Sequence, residues 1–450
     1  MNRRDLLKLA GITTASTVIT GCTASTNNME PTKMAKSNGI LDSKAPLPKN
    51  GTKQRVVVVG GGWSGLSVAK RLKKYIPDLD VVLIEQRAHF VSCPISNLWL
   101  VDAVDLEFLT HSYLDAARNN GYTFFNATVY NVDKKAKMVY TNDGIVDYDY
   151  LVLAPGIDYD YEAWTKGDTQ LEYELRTNYP AGFMLHSEHQ TIKEKIENFE
   201  SGNFILTVPG GNYRCLPAPY ERACLIANYF KENEIDGKVV LLDENPDITI
   251  KKKGFHSAFD ELYKDYIVYV PNAKIESFDL KNKKIETEFD EYEFADASFY
   301  PRIRANKLIE VIGVSKDAIN KAEANIDPFT YQVKDEPYIF CSGDVRPMGF
   351  SKSGNTSNSE GHVVARVIAN RILGKKDEWT SPHTTCYSAV AVMPKISAIS
   401  VNADYAWSTK NKSFGFNNAS TMENWHGKSG TNTGKGLIEW ANGMYRDMFM

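Results

Sequence analysis

The sequence lacks the short motifs that mark several familiar classes of redox and metal protein. Its 450 residues include six cysteines, but no two of them form a C-x-x-C pair, and C-x-x-C-H is absent as well. This absence excludes a zinc ribbon, a thioredoxin-type pair and a haem attached to this chain. After residue 22 no apolar run is long enough to span a bilayer. The formal net charge of −4 gives no reason to expect a nucleic-acid partner.

Patterns that would bind a metal are also scarce. His186 and His189 lie about one helical turn apart, but HSEHQ reads as a solvated surface and no third ligand is evident, so no metal site is predicted. The lysine run Lys251–Lys253 is expected to be a solvated loop.

The N-terminus has the features of an export signal. Met1–Lys8 carries a twin-arginine pattern, and a mildly apolar stretch of small residues follows. A signal at 1–22 of this kind predicts export of the folded protein to the periplasm. Ile19–Cys22 resembles a lipobox, so Cys22 becomes either a lipidated N-terminus or a residue close to an ordinary cleavage site. Residues 23–52 are expected to form a flexible linker.

A glycine-rich turn after an apolar run predicts a dinucleotide-binding domain. Arg55–Val59 reads as a strand, Gly60–Gly65 supplies G-x-G-x-x-G, and a helix-forming segment follows. The glycines permit a tight turn and let backbone N–H groups approach a pyrophosphate at the positive end of the helix. The next apolar run ends at Glu85, which is placed to accept hydrogen bonds from a ribose. The binding residues predicted from this region are Gly60, Gly62, Trp63, Ser64, Gly65, Glu85 and Gln86.

Two later runs indicate which dinucleotide is bound. Leu151–Gly156 reads LVLAPG and Ile339–Val345 reads IFCSGDV, and each is an apolar strand that ends in a turn. The three runs in this order resemble the signatures of two-domain flavoproteins of the disulfide-reductase type, which favours FAD over NAD. In such flavoproteins the aspartate that matches Asp344 binds the ribityl chain. The further predicted FAD-binding residues are Ala154, Gly156, Gly343, Asp344, Ser353 and Gly354.

A second glycine fingerprint is missing where a pyridine-nucleotide reductase of this kind would carry one. The strand Phe204–Val208 runs into Pro209–Cys215, which lacks the third glycine. Tyr213 and Arg214 occupy the turn where a pyrophosphate would need close approach. NAD(P)H is therefore not expected to bind.

The positions of the cysteines indicate which of them could take part in a reaction. Besides Cys22 there are five cysteines. An odd number in an exported protein indicates at least one thiol that does not pair in a disulfide within the chain. Cys224 and Cys341 lie in predicted apolar elements and are expected to be small core residues. The other three have unusual local sequences: Cys93 lies in FVSCPISN, Cys215 in YRCLPAPYERA and Cys386 in TTCYSAV.

These three runs, with VVVVGGGWSGLSVAK and GFSKSGNTSNSEG, resemble the flavoprotein subunit of flavocytochrome c sulfide dehydrogenase, with sulfide:quinone oxidoreductases as relatives. The resemblance extends from about Lys53 to the C-terminus. It implies that Cys93 is bonded through sulfur to FAD and that Cys215 and Cys386 form a redox-active disulfide. Hydrosulfide would open that disulfide, and the electrons would pass to FAD and then singly to a c-type cytochrome on another chain.

Other residues near these cysteines complete the predicted site. Glu221 is a candidate acid–base group, with a salt bridge to Arg222 as the alternative. Asn97, in the FVSCPISN run, is grouped with the FAD-binding residues. The chain departs from the family pattern at three positions beside the cysteines, so substrate access is expected to differ; these are Pro94, Leu216 and Ala218.

Two alternatives stay open for the activity. The C-terminal run Gly434–Met450 offers one amphipathic stripe, whereas quinone enzymes of this group usually present an apolar helix pair to the membrane. A cytochrome is therefore the favoured acceptor, and a sulfide:quinone oxidoreductase is the alternative, especially if Cys22 carries lipid. A flavin or persulfide carrier without turnover is the non-enzymatic alternative.

The order of the motifs predicts the architecture. We expect an α/β fold with two domains of the dinucleotide-binding type and a C-terminal interface domain. The FAD-binding domain is assigned to 53–160 and 292–374, and a second α/β domain at 161–291 interrupts it. Residues 375–450 form the third domain, which supplies Cys386.

Overall fold

The computed structural model describes residues 46–49, 54–184 and 186–450. The predicted signal with Cys22, and the predicted linker apart from its residues 46–49, lie outside the described residues. The strands are β1 (Arg55–Val59), β2 (Asp80–Glu85), β3 (His89–Val91), β4 (Thr110–Ser112), β5 (Thr123–Asn126), β6 (Val129–Asp133), β7 (Met138–Thr141), β8 (Ile145–Asp147), β9 (Tyr150–Leu153), β10 (Ile157–Asp160), β11 (Ser201–Val208), β12 (Asp236–Asp243), β13 (Ile267–Val270), β14 (Ile275–Asp279), β15 (Lys284–Thr287), β16 (Glu291–Glu293), β17 (Asp296–Ser298), β18 (Arg302–Ala305), β19 (Ser315–Lys316), β20 (Glu323–Ala324), β21 (Ile339–Cys341), β22 (His383–Ala391), β23 (Ser397–Ser408) and β24 (Ser413–Met422). The helices are α1 (Trp63–Tyr75), α2 (Ser96–Leu100), α3 (Leu106–Leu109), α4 (Tyr113–Asn120), α5 (Glu162–Thr165), α6 (Thr169–Asn178), α7 (His186–Glu197), α8 (Ala218–Glu232), α9 (Lys252–Leu262), α10 (Lys307–Val311), α11 (Gly354–Ile372) and α12 (Gly427–Phe449).

The first domain is built on a parallel sheet with the order β21-β9-β1-β2-β5. Val57 of the central strand β1 lies opposite Val82 of β2 and Leu151 of β9. β1, β2 and β9 are buried along their whole length, as expected when helices cover both faces of a parallel sheet. The carboxyl ends of β1, β2, β9 and β21 therefore meet at one edge, which is where the sequence motifs lie.

The second domain repeats this plan around a parallel sheet with the order β13-β12-β11-β17. Leu206 of β11 lies opposite Leu241 of β12 and Ser298 of β17. Each domain also has an antiparallel three-stranded unit: β6-β7-β8 precedes β9 in the first domain, and β14-β15-β16 precedes β17 in the second. β17 lies beyond the bound expected at residue 291, because Asp296–Ser298 pairs with β11. The predicted fold class, α/β with two domains of this type, is confirmed.

The C-terminal part combines the antiparallel sheet β22-β23-β24 with the 23-residue helix α12. The apolar stripe predicted for this helix faces the interior of the same chain, where Leu437, Ala441, Tyr445 and Met448 are buried. Within the described residues, no helix has both the length and the apolar character needed to cross a membrane.

Part of the predicted linker is held against the first domain. The Leu47 N–H donates to the Ile145 carbonyl at 2.9 Å. The buried Arg55 guanidinium donates to the carbonyl oxygens of Leu47 and Pro48 at 3.0 and 2.6 Å. Residues 46–49 are therefore not a free tether, because their backbone carbonyls satisfy a buried cation.

Candidate active site

An open cleft with an empty volume of about 950 Å3 lies at the edge where the strands of the first sheet end. Its walls come from the turns after β1, β2, β9 and β21 and from the start of α11. The predicted FAD-binding residues that line it are Gly60, Gly62, Trp63, Ser64, Glu85, Gln86, Cys93, Ala154, Gly156, Gly343, Asp344 and Gly354. The structure places Gly65, Asn97 and Ser353 outside this lining.

The turn between β1 and α1 has a backbone path that requires glycine. Gly60 has φ +100°, and a Cβ on it would lie 2.4 Å from the carbonyl oxygen of Ala154. A Cβ on Gly65 would lie 1.9 Å from the carbonyl oxygen of Gly60. Gly65 therefore lets α1 pack against the turn and does not itself reach the cleft, which corrects its expected role as a ligand contact.

Glu85 ties the end of β2 to this turn. Its Oε2 accepts a hydrogen bond from the Gly61 N–H at 2.8 Å, and its Oε1 accepts one from Arg87 Nε at 2.8 Å. A carboxylate has about four acceptor positions. The Arg87 N–H and Nη2 also donate to it, at 3.0 and 3.4 Å, so Glu85 holds the turn and a ribose hydroxyl would take the place of an Arg87 contact.

Helix α11 directs its N-terminus towards the cleft. Ser353 is the N-cap, and its hydroxyl accepts a hydrogen bond from the Thr356 N–H at 3.3 Å. A Cβ on Gly354 would lie 2.8 Å from both Pro94 Cγ and Trp63 Cε2, so the helix begins in close contact with the cleft wall. The positive end of this 19-residue helix favours negative charge in the cleft. Ser353 thus acts as a cap here, because its hydroxyl is turned to the helix backbone.

A cation from the second domain reaches the third motif of the first domain. Arg214 Nε lies 3.3 Å from Asp344 Oδ2, and the Ser357 hydroxyl donates to Asp344 Oδ1 at 3.2 Å. Arg214 also donates through Nη1 to the Phe183 carbonyl at 2.8 Å. Burial alone would lower the pKa of Arg214, but the negative charges of Cys93 and Asp344 outweigh it and raise that pKa. Arg214, which the sequence suggested only as an obstacle, is a contact between the domains.

A second cavity, with an empty volume of about 650 Å3, adjoins the cleft and shares Cys93, Phe183 and Gly354 with it. Cys215 and Cys386 line this cavity as well. The first domain, the second domain and the C-terminal sheet each contribute one of these cysteines. The structure therefore brings together the three cysteines that the sequence singled out.

The three thiols are free in this structure and differ in acidity. The Cys215 thiol donates a hydrogen bond to the Cys93 sulfur, which lowers the pKa of Cys93 well below its ordinary value and raises that of Cys215 well above it. Arg214 and His189 lower the pKa of Cys93 further. Burial raises the pKa of Cys386. The disulfide between Cys215 and Cys386 stays a prediction.

The structure also shows the surroundings of the other cysteines and of His189. Cys224 and Cys341 are fully buried, which confirms them as core residues. His189 is only 7% exposed and hydrogen-bonds to Cys93, so the expectation of a solvated surface was wrong at this position. Burial follows from the packing of α7 on α2, the helix next to Cys93. In the part of the chain that the structure describes, no group of His, Cys, Asp and Glu side chains could hold a metal ion.

Glu221 is fixed in the second cavity by two hydrogen bonds. Asn97 Nδ2 donates to Glu221 Oε2 at 2.9 Å, and the Ala389 N–H donates to Oε1 at 2.7 Å. Arg222 Nε donates to Asn97 Oδ1 at 3.0 Å and so orients Asn97. The alternative expected from the sequence was a salt bridge between Arg222 and Glu221. Burial raises the pKa of Glu221. Asn97 belongs to this carboxylate and not to the cofactor cleft, because its amide on α2 points at α8.

Sequence reasoning missed Lys251. The residue is buried, whereas Lys252 and Lys253 beside it are exposed as expected. Its Nζ donates to Ser388 Oγ at 2.7 Å and lies 3.8 Å from Cys386 Sγ. A run of three lysines carries no signal that would single out the first of them.

Comparison with protein families gives two matches. Residues 54–182 match the family described as pyridine nucleotide-disulphide oxidoreductase. Residues 189–299 match the family described as the central region of the sulfide dehydrogenase (flavocytochrome c) flavoprotein chain. The two matches divide between the first and the second domain.

Individual relatives agree with the family matches. The mitochondrial sulfide:quinone oxidoreductase of Mus musculus is 25% identical over 354 residues, 74% of this chain and 76% of that protein. The flavoprotein chain of sulfide dehydrogenase from Chlorobaculum thiosulfatiphilum is 57% identical over 47 residues, 10% of this chain and 96% of that sequence. The crystal structure of the sulfide:quinone oxidoreductase from Aquifex aeolicus shares the fold, with a TM-score of 0.72 and 20% identity over 88% of this chain and 92% of that one. The chain therefore belongs to the superfamily of flavoprotein disulfide oxidoreductases that contains the sulfide:quinone oxidoreductases and the flavoprotein chains of sulfide dehydrogenase.

Proposed function

We propose that the protein is the flavoprotein subunit of a periplasmic sulfide dehydrogenase, which oxidises hydrosulfide through a cysteine pair and FAD and delivers electrons to a c-type cytochrome. The observation that carries this proposal is the convergence of Cys93, Cys215 and Cys386 on one cavity beside the cleft. The matched families and the sulfide-oxidising relatives support the same assignment.

The residues of the cleft fit FAD. Gly62 lines the cleft and a Cβ on it would meet nothing within 4 Å, so the backbone of the β1–α1 turn is open to the close approach that a pyrophosphate needs. Asp344 lines the cleft, in keeping with its proposed hydrogen bond to a ribityl chain, and the N-terminus of α11 favours an anionic reduced ring. When bound, FAD supplies the means to take two electrons from sulfur and release them one at a time.

Cys93 is proposed as the covalent attachment point. It lines both the cleft and the cavity, and its lowered pKa gives it thiolate character. Denatured wild-type protein should keep its yellow chromophore through acid precipitation, with a peptide mass that includes FAD at Cys93. Cys93→Ser should release all flavin under the same treatment, and release from the wild type would leave FAD as a noncovalent cofactor.

Cys215 and Cys386 are proposed to carry the sulfur chemistry. In the oxidised pair, hydrosulfide bonds to one sulfur while the bond between the cysteines breaks and its electron pair leaves on the other sulfur. The products are one persulfide and one thiolate. Bound FAD would supply the acceptor for two electrons, and zero-valent sulfur would leave as the bond between Cys215 and Cys386 re-forms.

Glu221 is proposed to take the proton that hydrosulfide releases. Its raised pKa brings the carboxylate closer to the pH at which a base works well. Asn97 and the Ala389 N–H hold the carboxylate in one orientation within the cavity that holds Cys215 and Cys386.

A cytochrome is the proposed acceptor, and a quinone is the second candidate. The match of residues 189–299 to the flavocytochrome family supports the cytochrome, as does the burial of the α12 stripe within the chain. The relatives that act on quinone, among them the mouse enzyme, support the alternative. Twin-arginine export to the periplasm, with or without lipid on Cys22, is part of the proposal.

Anaerobic titration tests this function. Addition of sulfide to the purified protein should bleach the flavin, and a c-type cytochrome added next should reoxidise it. A flavin that sulfide does not bleach would contradict the proposed enzyme and favour a carrier. Rapid reoxidation by a short-chain quinone, with none by cytochrome, would move the protein to the second candidate.

A further inference from the structure

We propose that Lys251 makes Cys386 the leaving thiolate when the cysteine pair is opened, so that the incoming sulfur stays on Cys215. The inference rests on the proposed function and adds to it a positioning residue and a direction. Lys251 Nζ lies 3.8 Å from Cys386 Sγ, 3.3 Å from the Cys386 carbonyl oxygen and 2.7 Å from Ser388 Oγ. The last two contacts hold the ammonium at the sulfur.

The burial and the backbone conformation of Lys251 both cost free energy, which indicates a role other than keeping the surface soluble. Its side chain is only 3% exposed, and its backbone is left-handed, with φ 53° and ψ 40°, immediately before α9. Lysine is among the residues least often buried, and residues other than glycine seldom adopt this backbone conformation. Such strain persists where the surrounding structure enforces it, and it concentrates at functional sites.

The charges around Cys386 show what the ammonium does. Burial raises the pKa of Cys386 and Glu221 raises it as well, whereas Lys251 lowers it. Burial lowers the pKa of Lys251, and the negative charges of Cys386, Glu221 and Glu423 oppose that effect. Glu221 comes from α8, and Glu423 follows β24 and accepts from the Gly254 N–H at 3.1 Å. Lys251 is thus the cation that compensates a thiolate in acidic, buried surroundings.

Cys215 has a cation that it shares with other groups: Arg214 lowers the pKa of Cys215, but it also faces the negative charges of Cys93 and Asp344. The nearby Arg214 is committed to Asp344, and the Cys215 thiol donates to Cys93. That hydrogen bond and burial raise the pKa of Cys215 well above its ordinary value in this structure, and burial still raises it once the Cys93 sulfur is bonded to FAD. In thiol–disulfide exchange, the sulfur whose thiol has the lower pKa leaves faster.

The proposed step balances without another reagent. Hydrosulfide forms a bond to Cys215 Sγ, the bond between Cys215 and Cys386 breaks, and its electron pair goes to Cys386 Sγ beside Lys251. Cys215 then holds a persulfide, which keeps the proton of hydrosulfide until Glu221 takes it, and Cys386 is a thiolate. The ammonium of Lys251 compensates this thiolate for as long as the persulfide stays on Cys215.

Four proteins test this assignment: the wild type, Lys251→Met, Lys251→Arg and the exposed control Lys253→Met. Each is oxidised with diamide, opened anaerobically with hydrosulfide or, separately, with 2-mercaptoethanol, alkylated and mapped by mass spectrometry. In the wild type and Lys253→Met, the adduct should lie on Cys215 and the alkyl group on Cys386. Loss of a hydrogen bond to a charged group should slow opening of Lys251→Met about tenfold or more, and Lys251→Arg should recover most of the rate.

A second readout separates electrostatics from packing. In the reduced proteins, the pH profile of Cys386 alkylation should move to higher pH in Lys251→Met and stay near the wild type in Lys251→Arg. An adduct on Cys386 in the wild type, an unchanged rate and profile in Lys251→Met, or a pair that diamide does not oxidise would each overturn the proposal. The 2-mercaptoethanol experiment needs no sulfide activity, so it gives a result even if the proposed function fails.

Discussion

The turn after β1 and the turn after β11 begin alike and end differently. Each follows a central strand of a parallel sheet and places a backbone N–H on a carboxylate at the end of the neighbouring strand. In the first domain the Gly61 N–H donates to Glu85 Oε2 at 2.8 Å. In the second, the Gly210 N–H donates to Glu244 Oε2, also at 2.8 Å. The start of a dinucleotide-binding turn is therefore present twice.

The two turns diverge three to four residues after these glycines. In the first, Gly65 lets α1 start directly against the turn and leaves a cleft in front of it. In the second, Tyr213 is buried and its hydroxyl donates to the Leu216 carbonyl at 3.0 Å. Arg214 and Cys215 then leave the second domain, and the Cys215 N–H donates to the Lys352 carbonyl of the first domain at 2.7 Å.

This difference shows that two domains of the same fold can use the corresponding turn in different ways. A turn that holds a nucleotide must keep its front open, so its residues are small. A turn that directs side chains to another site can have bulky residues in front of its backbone. The second turn fills its front with Tyr213 and supplies Arg214 to Asp344 and Cys215 to the shared cavity.

Removal of the thiol that the second turn supplies should have the largest effect on activity. Cys215→Ser should abolish bleaching of the flavin by sulfide while FAD stays bound, because no part of the cleft lining is changed. Cys386→Ser should have the same effect from the C-terminal sheet. Stopped-flow absorbance under anaerobic conditions, with the flavin content of each variant, measures both effects.

Cys224→Ser and Cys341→Ser are the matched controls, since both thiols are fully buried away from the cavity lining. They should lower stability and leave the rate near normal. If Cys386→Ser were bleached at the wild-type rate, direct attack of hydrosulfide on the flavin would become the better account.

A second test compares the glycines of the two turns. In Gly65→Ala the new Cβ meets the Gly60 carbonyl oxygen, and backbone cannot move aside easily, so we expect a loss of about 1–3 kcal/mol of stability and most of the bound FAD. In Gly210→Ala the nearest atom is Glu244 Cδ at 2.8 Å, at the end of a flexible side chain. Its flavin content should stay near the wild type. Equal flavin loss in both variants would contradict the division of tasks.

The sequence could predict the parts of the site that depend on local sterics. The spacing of Gly60–Gly65 is such a part, because the turn and the helix start within six residues. The meeting of Cys215 with Cys386 depends on how β22 crosses the second domain, and only the resemblance to a family indicated it. Lys251 was beyond prediction, because its burial arises from contact with Ser388 on that same strand.

A third test concerns the carboxylate shared by the cavity. Burial raises the pKa of Glu221, so the base form prevails above that pKa and is lost as the pH falls through it. The rate of bleaching per hydrosulfide ion should therefore fall on the acid side in the wild type. Glu221→Gln should lose this limb and react about 100-fold more slowly, the scale of general acid–base catalysis. Asn97→Ala should retain the limb with a shifted midpoint, and an unchanged profile in Glu221→Gln would remove the residue from catalysis.

The smallest expected effect is the response to NADH and NADPH, for which the comparison predicts none. Tyr213 is buried in the second turn and Arg214 lies across its far side, so a pyrophosphate cannot approach the backbone as it can at Gly60. NADH at concentrations that saturate pyridine-nucleotide reductases should neither bleach the flavin nor raise the unfolding temperature. Sulfide given to the same sample afterwards should bleach it, which shows that the protein is competent. Bleaching by NADH at a rate comparable to sulfide would mean that the second turn still binds a nucleotide, and its cysteine would then need another explanation.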